Sequence, residues 1–271
     1  MENITTPYTS VLTIAGSDSG GCAGIQADIK SISACGAFAA SVITATTAQN
    51  TQGVTDIHPI PVPHIEKQLD AVFSDIDFGA VKIGMLHSCE VIETIADKLS
   101  AYGAKNVVLD PVMVATSGDK LINDDAINCL KSLLRQAKLI TPNSKEAEIL
   151  IDHAIDRKNA SATAKEIGQQ FQTSVLLKGG HLADLGAVMT DVLYDYETDQ
   201  IVEISNPKVN THNTHGTGCS LSSGIAAFLS KGDDLEDAVR KGCAYINQAI
   251  VGGQYKVLGK GNGPINHFGS D

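Results

Sequence analysis

The sequence contains no tryptophan, and aromatic residues make up only 4% of its 271 positions. No apolar run approaches the length of a membrane span, and residues 1–10 lack the charged and apolar regions of a signal peptide. Acidic residues outnumber basic ones, which gives a net charge of −11 with no basic stripe. These absences argue against nucleic acid or an anionic membrane as a partner, and they predict a cytoplasmic protein.

The six cysteines form no CxxC pair and show no zinc-binding spacing. The sequence therefore predicts reduced thiols and no structural zinc. Most of the cysteines lie in apolar helical contexts, where we expect them to pack as small hydrophobic residues: Cys35, Cys89, Cys129 and Cys243. Cys22 and Cys219 lie beside glycines, and their roles stay open on this evidence.

No linker, low-complexity segment or internal repeat divides the chain, so residues 1–271 are predicted to form one domain. Hydrophobic residues make up 43% of the sequence, enough for a substantial core. Short apolar segments that are typical of buried strands alternate with stretches of helical periodicity. The expected strands lie at 11–15, 41–47, 80–85, 106–110, 138–141 and 174–178, and a hairpin is expected within 188–203.

A small-residue turn, Gly216-Thr217-Gly218-Cys219, leads directly into an apolar helical run from Leu221. We call these four residues the anion turn, because a helix that begins after glycines presents unpaired N–H groups and a partial positive charge. Cys219 would lie in that field, which favours a partly ionised thiol at neutral pH. A tight turn with a packed thiol is the alternative, and the turn alone does not decide between them.

Other polar residues follow strands or begin helices. The glycine-rich loop after the first strand has neither the GxGxxG spacing nor a GKS or GKT sequence. Asp28, in the first turn of the next helix, is either a surface acid matched to the helix dipole or a ligand residue. Asp110 ends a strand at the sheet edge where ligands gather in open α/β proteins, and it is either a site residue or a loop cap.

Asn143 and Glu146 have the spacing of a helix capping box, which explains them without a ligand. The alternative is that both side chains face an anion site and order Mg²⁺ through water, since Mg²⁺ prefers oxygen ligands. Lys178 ends a buried strand, where it is either solvated or in contact with phosphate. The segment 259–264 is either a cover over a ligand or an unattached tail.

Taken in order, these segments resemble the hydroxymethylpyrimidine/phosphomethylpyrimidine kinase family of thiamine biosynthesis, over nearly the whole chain. The resemblance rests on 12–18, 24–28, 48–51, 82–86, 141–146, 178–181 and 213–219. It implies a ribokinase-like three-layer sandwich, in which helices flank a central, mostly parallel sheet and the active site follows one edge of that sheet. It also implies ATP and Mg²⁺ as cofactors and a homodimer.

The resemblance also implies the site residues. A pyrimidine would lie against Gly16, Ala23, Asp28, Gln49, Met85, Val112 and Cys219, with Asp28 and Gln49 paired to the aminopyrimidine edge. The phosphate side would be formed by Asn143, Glu146, Lys178 and Thr217, with Glu146 and Asn143 near Mg²⁺ through water. The anion turn would act as the anion hole for the γ-phosphoryl group, which the substrate hydroxyl attacks.

Much of the wider superfamily has aspartate as the base at the fourth position of this turn, whereas this chain has Cys219. Cys219 is either the base, acting as thiolate, or a group that packs and orients the substrate. Two positions depart from the family pattern: Cys22 replaces a smaller residue, and Thr116 stands where some members have lysine. The rival functions are a pyridoxal kinase of the same superfamily and a noncatalytic sensor of a pyrimidine phosphate.

Overall fold

A nine-stranded sheet forms the centre of the protein in a computed structural model that describes residues 6–113, 124–155, 157–179 and 187–269. In chain order its strands are β1 (Ser10–Asp18), β2 (Phe38–Asn50), β3 (Gly53–Pro59), β4 (Ala80–Ile83), β5 (Val107–Leu109), β6 (Leu139–Ile140), β7 (Ser174–Leu177), β8 (Val188–Asp195) and β9 (Gln200–Pro207). Their order across the sheet is β3-β2-β1-β4-β5-β6-β7-β8-β9. The strands from β2 to β7 in this order pair in parallel, whereas β3, β8 and β9 pair antiparallel to their neighbours.

Helices cover both faces of the sheet. They are α1 (Gly24–Ala34), α2 (Val62–Phe73), α3 (Cys89–Ala101), α4 (Asp124–Leu133), α5 (Ser144–Ile151), α6 (Ala160–Phe171), α7 (Thr217–Ser230) and α8 (Leu235–Gly253). Because successive strand residues point to opposite faces, Val107 and Leu109 join one apolar cluster and Val108 joins the other. The first cluster includes residues of α2 to α6, and the second includes residues of α1, α7 and α8. The expected three-layer α/β sandwich is therefore confirmed.

The expected strands and the hairpin, now β8 and β9, are present. Two elements had no sequence prediction. β3 is a largely exposed edge strand with few apolar residues. α6 was missed although its buried residues Ala164, Ile167 and Phe171 recur at helical spacing, a pattern that predicts an amphipathic helix. The stretch 115–120, with Thr116, and His181 lie outside the described residues.

The prediction of reduced thiols is wrong for one pair of cysteines. Cys89, the first residue of α3, and Cys129 of α4 form a disulfide, with their Cα atoms 5.4 Å apart. The spacing of 40 residues carried no sign of this pairing, because only the packing of α3 against α4 brings the two side chains together. Cys22, Cys35, Cys219 and Cys243 are free.

None of the described helices is both long enough and apolar enough to cross a bilayer.

Candidate active site

The predicted site residues meet at one edge of the sheet. Since β1, β2 and β4 to β7 run in parallel, their carboxyl ends lie side by side, and we call this the carboxyl edge. Gly16 lies near the end of β1 and Gln49 near the end of β2, while Asp110 and Lys178 directly follow β5 and β7. The topology therefore brings together residues that are far apart in the sequence.

The anion turn forms the entry to α7. Gly216 caps the helix with φ +84°, a left-handed conformation that favours glycine. A Cβ at Gly216 would come 1.8 Å from the carbonyl oxygen of Cys22, so the loop after β1 packs directly on the turn. A Cβ at Gly218 would lie 3.3 Å from Asp110 Oδ2 and 3.4 Å from Lys178 Nζ. The first N–H groups of α7 thus lie beside a lysine and a carboxylate.

Lys178 links two buried acids under this turn. Its Nζ lies 2.8 Å from Asp110 Oδ1 and 3.8 Å from Glu146 Oε2. Thr141 donates a further hydrogen bond of 3.0 Å to the same Asp110 oxygen. Burial alone would lower the pKa of Lys178, but Asp110 and Glu146 raise it above its usual value, so the lysine is charged. Asp110 is therefore part of this cluster, a position that its sequence context left open.

Glu146 and Asn143 form the capping box that their spacing suggested. Asn143 Oδ1 accepts from the Glu146 N–H at 3.0 Å, and Glu146 Oε2 accepts from the Asn143 N–H at 2.8 Å. Burial raises the pKa of Glu146 to about 7, although Lys178 opposes the shift. The carboxylates of Glu146 and Asp110 both lie near Lys178 Nζ, at 3.8 and 2.8 Å, and carboxylate oxygens are the ligands that Mg²⁺ prefers. The capping and metal-site interpretations are compatible.

The sequence left the ionisation state of Cys219 open between a thiolate and a packed thiol. Burial raises the pKa of its thiol to about 11; Lys82 lowers it, whereas Asp28 and Asp110 raise it. The raised pKa favours the neutral thiol at neutral pH, because desolvation outweighs the effect of Lys82. The backbone of Gly24 opposes the shift and lowers the pKa.

Asp28 is completely buried and already saturated with donors. Oδ1 accepts from Lys82 Nζ and from Ser223, each at 2.8 Å, and Oδ2 accepts from Thr13 at 2.6 Å. Lys82 is itself fully buried, and Asp28 helps to raise its pKa against the effect of burial. Lys82 had no predicted role, although a lysine within the apolar strand β4 signals a buried partner.

The remaining pyrimidine-side residues lie around the ends of β1, β2 and β4. A Cβ at Gly16 would come 2.8 Å from Met85 Cε, so the missing side chain makes room for Met85. The amide of Gln49 contacts the Thr47 hydroxyl and the ring of His215, each at 3.0 Å. Ala23 and Val112 are partly exposed on the loops that follow β1 and β5.

Asp18 is a residue that the sequence analysis missed. It is 2% exposed, and its Oδ2 accepts from the N–H groups of Cys22 and Ala23 at 2.9 and 2.8 Å. Its Oδ1 accepts from Gly20 at 2.7 Å. Asp18 therefore shapes the loop that packs on Gly216, a local Asx-type role that its position between hydroxyl-bearing neighbours could have indicated.

Comparison with known proteins places these features in a family. The family model described as phosphomethylpyrimidine kinase matches residues 18–266. A hydroxymethylpyrimidine/phosphomethylpyrimidine kinase of Rhizobium meliloti is 48% identical over 260 residues, which cover 95% of this chain and 96% of that protein. The thiamine biosynthesis bifunctional protein ThiED of Geobacter sulfurreducens is 47% identical over 264 residues, and the chain spans 53% of that longer protein.

The fold has close counterparts among solved structures. A crystal structure of an ADP complex of Bacillus subtilis pyridoxal kinase superposes with a TM-score of 0.87, at 31% sequence identity, and the match covers 96% of this chain and 98% of that one. The family match spans nearly all of the elements that form the carboxyl edge. This chain therefore belongs to the phosphomethylpyrimidine kinase family.

Proposed function

We propose that this protein is an ATP-dependent kinase of thiamine biosynthesis that phosphorylates 4-amino-5-hydroxymethyl-2-methylpyrimidine and then its monophosphate to the diphosphate. The observation that carries the proposal is the placement of Lys178, Asp110 and Glu146 directly beneath the anion turn. Phosphoryl transfer depends mainly on positioning and on charge stabilisation, and this cluster supplies both beside a helix N-terminus. The family membership supports the same conclusion.

The phosphate side of the site divides into separate roles. The N–H groups of Gly218 and Cys219 would bind the γ-phosphoryl oxygens, and one such donor is worth about 3 kcal/mol in comparable sites. The Thr217 N–H already donates to the Thr214 carbonyl at 3.3 Å, so the predicted phosphate contact of Thr217 would require that bond to open. Lys178 would move from Asp110 toward phosphate as a point charge. Asn143 and Glu146, with Asp110, would hold Mg²⁺ through water, and the ion would neutralise phosphate charge when bound.

The pyrimidine would bind at the ends of β1, β2 and β4, against Gly16, Ala23, Met85 and Val112. Gln49 would pair with its aminopyrimidine edge. Asp28 would not pair with the aminopyrimidine edge directly, because its oxygens already accept from Lys82, Thr13 and Ser223. It would act indirectly, through its ion pair with Lys82.

Cys219 would contact the hydroxymethyl group of the substrate. Since the pKa of its thiol is about 11, orientation of the hydroxyl fits the structure better than proton removal by a thiolate.

The test of function is an assay of Mg²⁺- and ATP-dependent phosphorylation, followed by mass spectrometry for long enough to detect both products. We expect the monophosphate and then the diphosphate of hydroxymethylpyrimidine, and no product from a Lys178→Met variant. Pyridoxal is assayed in parallel because the Bacillus subtilis structure is that of a pyridoxal kinase. Product from pyridoxal alone would identify the protein as a pyridoxal kinase. Tight pyrimidine binding without turnover would identify it as a noncatalytic sensor.

A magnesium titration tests the metal site. The Glu146→Gln variant should need on the order of tenfold more Mg²⁺ for half-maximal activity. Its matched control is Glu90→Gln, an exposed glutamate in the first turn of α3. An unchanged Mg²⁺ requirement in the Glu146 variant would limit that residue to capping α5.

We further propose a single domain, a homodimer and a cytoplasmic location. One continuous sheet from β1 to β9 supports the single domain. The dimer rests on the family resemblance, and sedimentation equilibrium tests it. The use of ATP as a substrate favours the cytoplasm, and the net charge of −11 favours small-molecule partners over nucleic acid.

A further inference from the structure

His215 lies directly before the anion turn and joins three parts of the molecule. Its N–H donates to the carbonyl of Gly263 at 3.1 Å, and the residue forms a parallel bridge with Pro264. Its ring lies 3.0 Å from the Gln49 amide nitrogen at the end of β2. The segment 259–264 is therefore attached to the site by these contacts.

These contacts define the tautomer of His215. An amide NH₂ can only donate, so Nε2, which faces the amide nitrogen of Gln49, is the acceptor. In the neutral ring the hydrogen is then carried by Nδ1. Burial lowers the pKa of His215, and the nearby charge of Asp18 opposes this shift without reversing it. The neutral ring that this arrangement requires is therefore favoured.

The same contacts define the orientation of the Gln49 amide. One N–H is donated to His215, and the oxygen faces the Thr47 hydroxyl at 3.0 Å. One N–H and one oxygen lone pair of this partly exposed amide have no partner among the residues that the structure describes. A ring nitrogen beside an amino group needs one donor and one acceptor, and the free groups of Gln49 supply them.

We propose that His215 is a positioning residue that holds the Gln49 amide in the orientation that pairs with the aminopyrimidine edge of the substrate. The inference rests on the proposed function. Without an acceptor at Nε2, the amide could turn its oxygen toward residue 215 and present the wrong group to the ring nitrogen. His215 would thereby tie substrate recognition to the segment 259–264, which is far from β2 in the sequence.

Steady-state kinetics of the full-length enzyme test this role with His215→Leu and His215→Gln. The leucine variant removes the acceptor, and we expect its KM for hydroxymethylpyrimidine to rise on the order of tenfold, with kcat and the KM for ATP unchanged. The glutamine variant offers an amide oxygen as acceptor and should restore most of the affinity. His212→Leu, an exposed histidine of the same segment, is the matched control and should behave as wild type.

A double-mutant cycle with Gln49→Ala shows whether His215 acts through Gln49. We expect the effect of His215→Leu on KM to disappear in the Gln49→Ala background, which a merely structural role would not produce. A fall in kcat or a higher KM for ATP would instead place His215 in the support of the anion turn and overturn the proposal. If the leucine variant does not fold, a KM more than tenfold raised in the glutamine variant would also overturn it. Wild-type enzyme that is inactive on hydroxymethylpyrimidine would refute the proposed function itself.

Discussion

Gly216 is subject to two constraints, a left-handed backbone conformation and a close contact with the loop after β1. Its φ of +84° costs an L-residue about 1 kcal/mol, and a Cβ would overlap the carbonyl of Cys22. We expect Gly216→Ala to lower the free energy of unfolding by more than that amount and to reduce kcat strongly, because the loop and the anion turn must move apart. Urea unfolding and steady-state kinetics measure the two effects.

Gly232 provides the matched control for this prediction. It has φ +92°, and a Cβ there would meet no atom within 4 Å. Gly232→Ala should therefore lose only the backbone term, about 1 kcal/mol, with normal kcat. Equal losses in the two variants would show that the contact with Cys22 has no energetic weight.

Cys219 allows a test of base catalysis by pH. With a thiol pKa of about 11, roughly one molecule in ten thousand carries the thiolate at pH 7. A thiolate base would make kcat/KM rise about tenfold per pH unit below that pKa. We expect instead a nearly flat profile from about pH 7 to about pH 9, and a Cys219→Ser variant that keeps most of the activity. A steep rise that the serine variant loses would restore the base hypothesis.

Elements were predictable where their own residues determine them. β4, β5 and β7 are short, wholly buried apolar segments, and this pattern identifies strands covered on both faces. β3 has exposed residues and depends on pairing with β2, a tertiary contact that local patterns do not carry. α6 does have a local pattern, since Ile167 and Phe171 lie on its buried face at helical spacing, and it was predictable from the sequence.

The disulfide between α3 and α4 also depends on tertiary packing, and its contribution can be measured. Closing a loop of 40 residues is worth about 4 kcal/mol by chain entropy. We expect Cys89→Ser and Cys129→Ser to lower the free energy of unfolding by a similar amount under non-reducing conditions. A reductant should lower wild type to the same value and leave both variants unchanged. If reductant has no effect on wild type, the two thiols are not joined in solution.

At the scale of the molecule, the sequence identified the groups that come to the carboxyl edge but not how they pair. Each of three groups has a local signal in the sequence. Lys178 follows a strand, Glu146 belongs to a capping box, and the anion turn is a glycine-rich helix start. Lys82 with Asp28 is an ion pair across 54 residues, and Gln49 with His215 spans 166. Such partners have no local signature, because only the crossing of strands and helices brings them together.

Buried histidines give the folded protein a dependence on pH. Burial lowers the pKa of His267 from 6.5 to about 4, and its Nε2 has no hydrogen-bond partner among the described residues. The unfolded chain binds a proton at this residue as the pH falls below 6.5, whereas the folded protein resists until about pH 4. The stability that the neutral ring supplies is therefore complete above pH 6.5 and is lost progressively toward pH 4, by up to about 3 kcal/mol.

Glu146 acts in the opposite direction, so the contribution of His267 must be isolated by comparing variants. The raised pKa of Glu146, about 7, lets the folded protein bind a proton first and gain stability as the pH falls from 7 toward 4.5. His267→Leu should remove the histidine contribution alone. As the pH is lowered, the unfolding free energy of wild type should therefore fall relative to that of the variant. Urea unfolding at several pH values measures this difference, with the exposed His58→Gln as the control. A difference independent of pH would mean that His267 ionises as freely in the folded protein as in the unfolded chain.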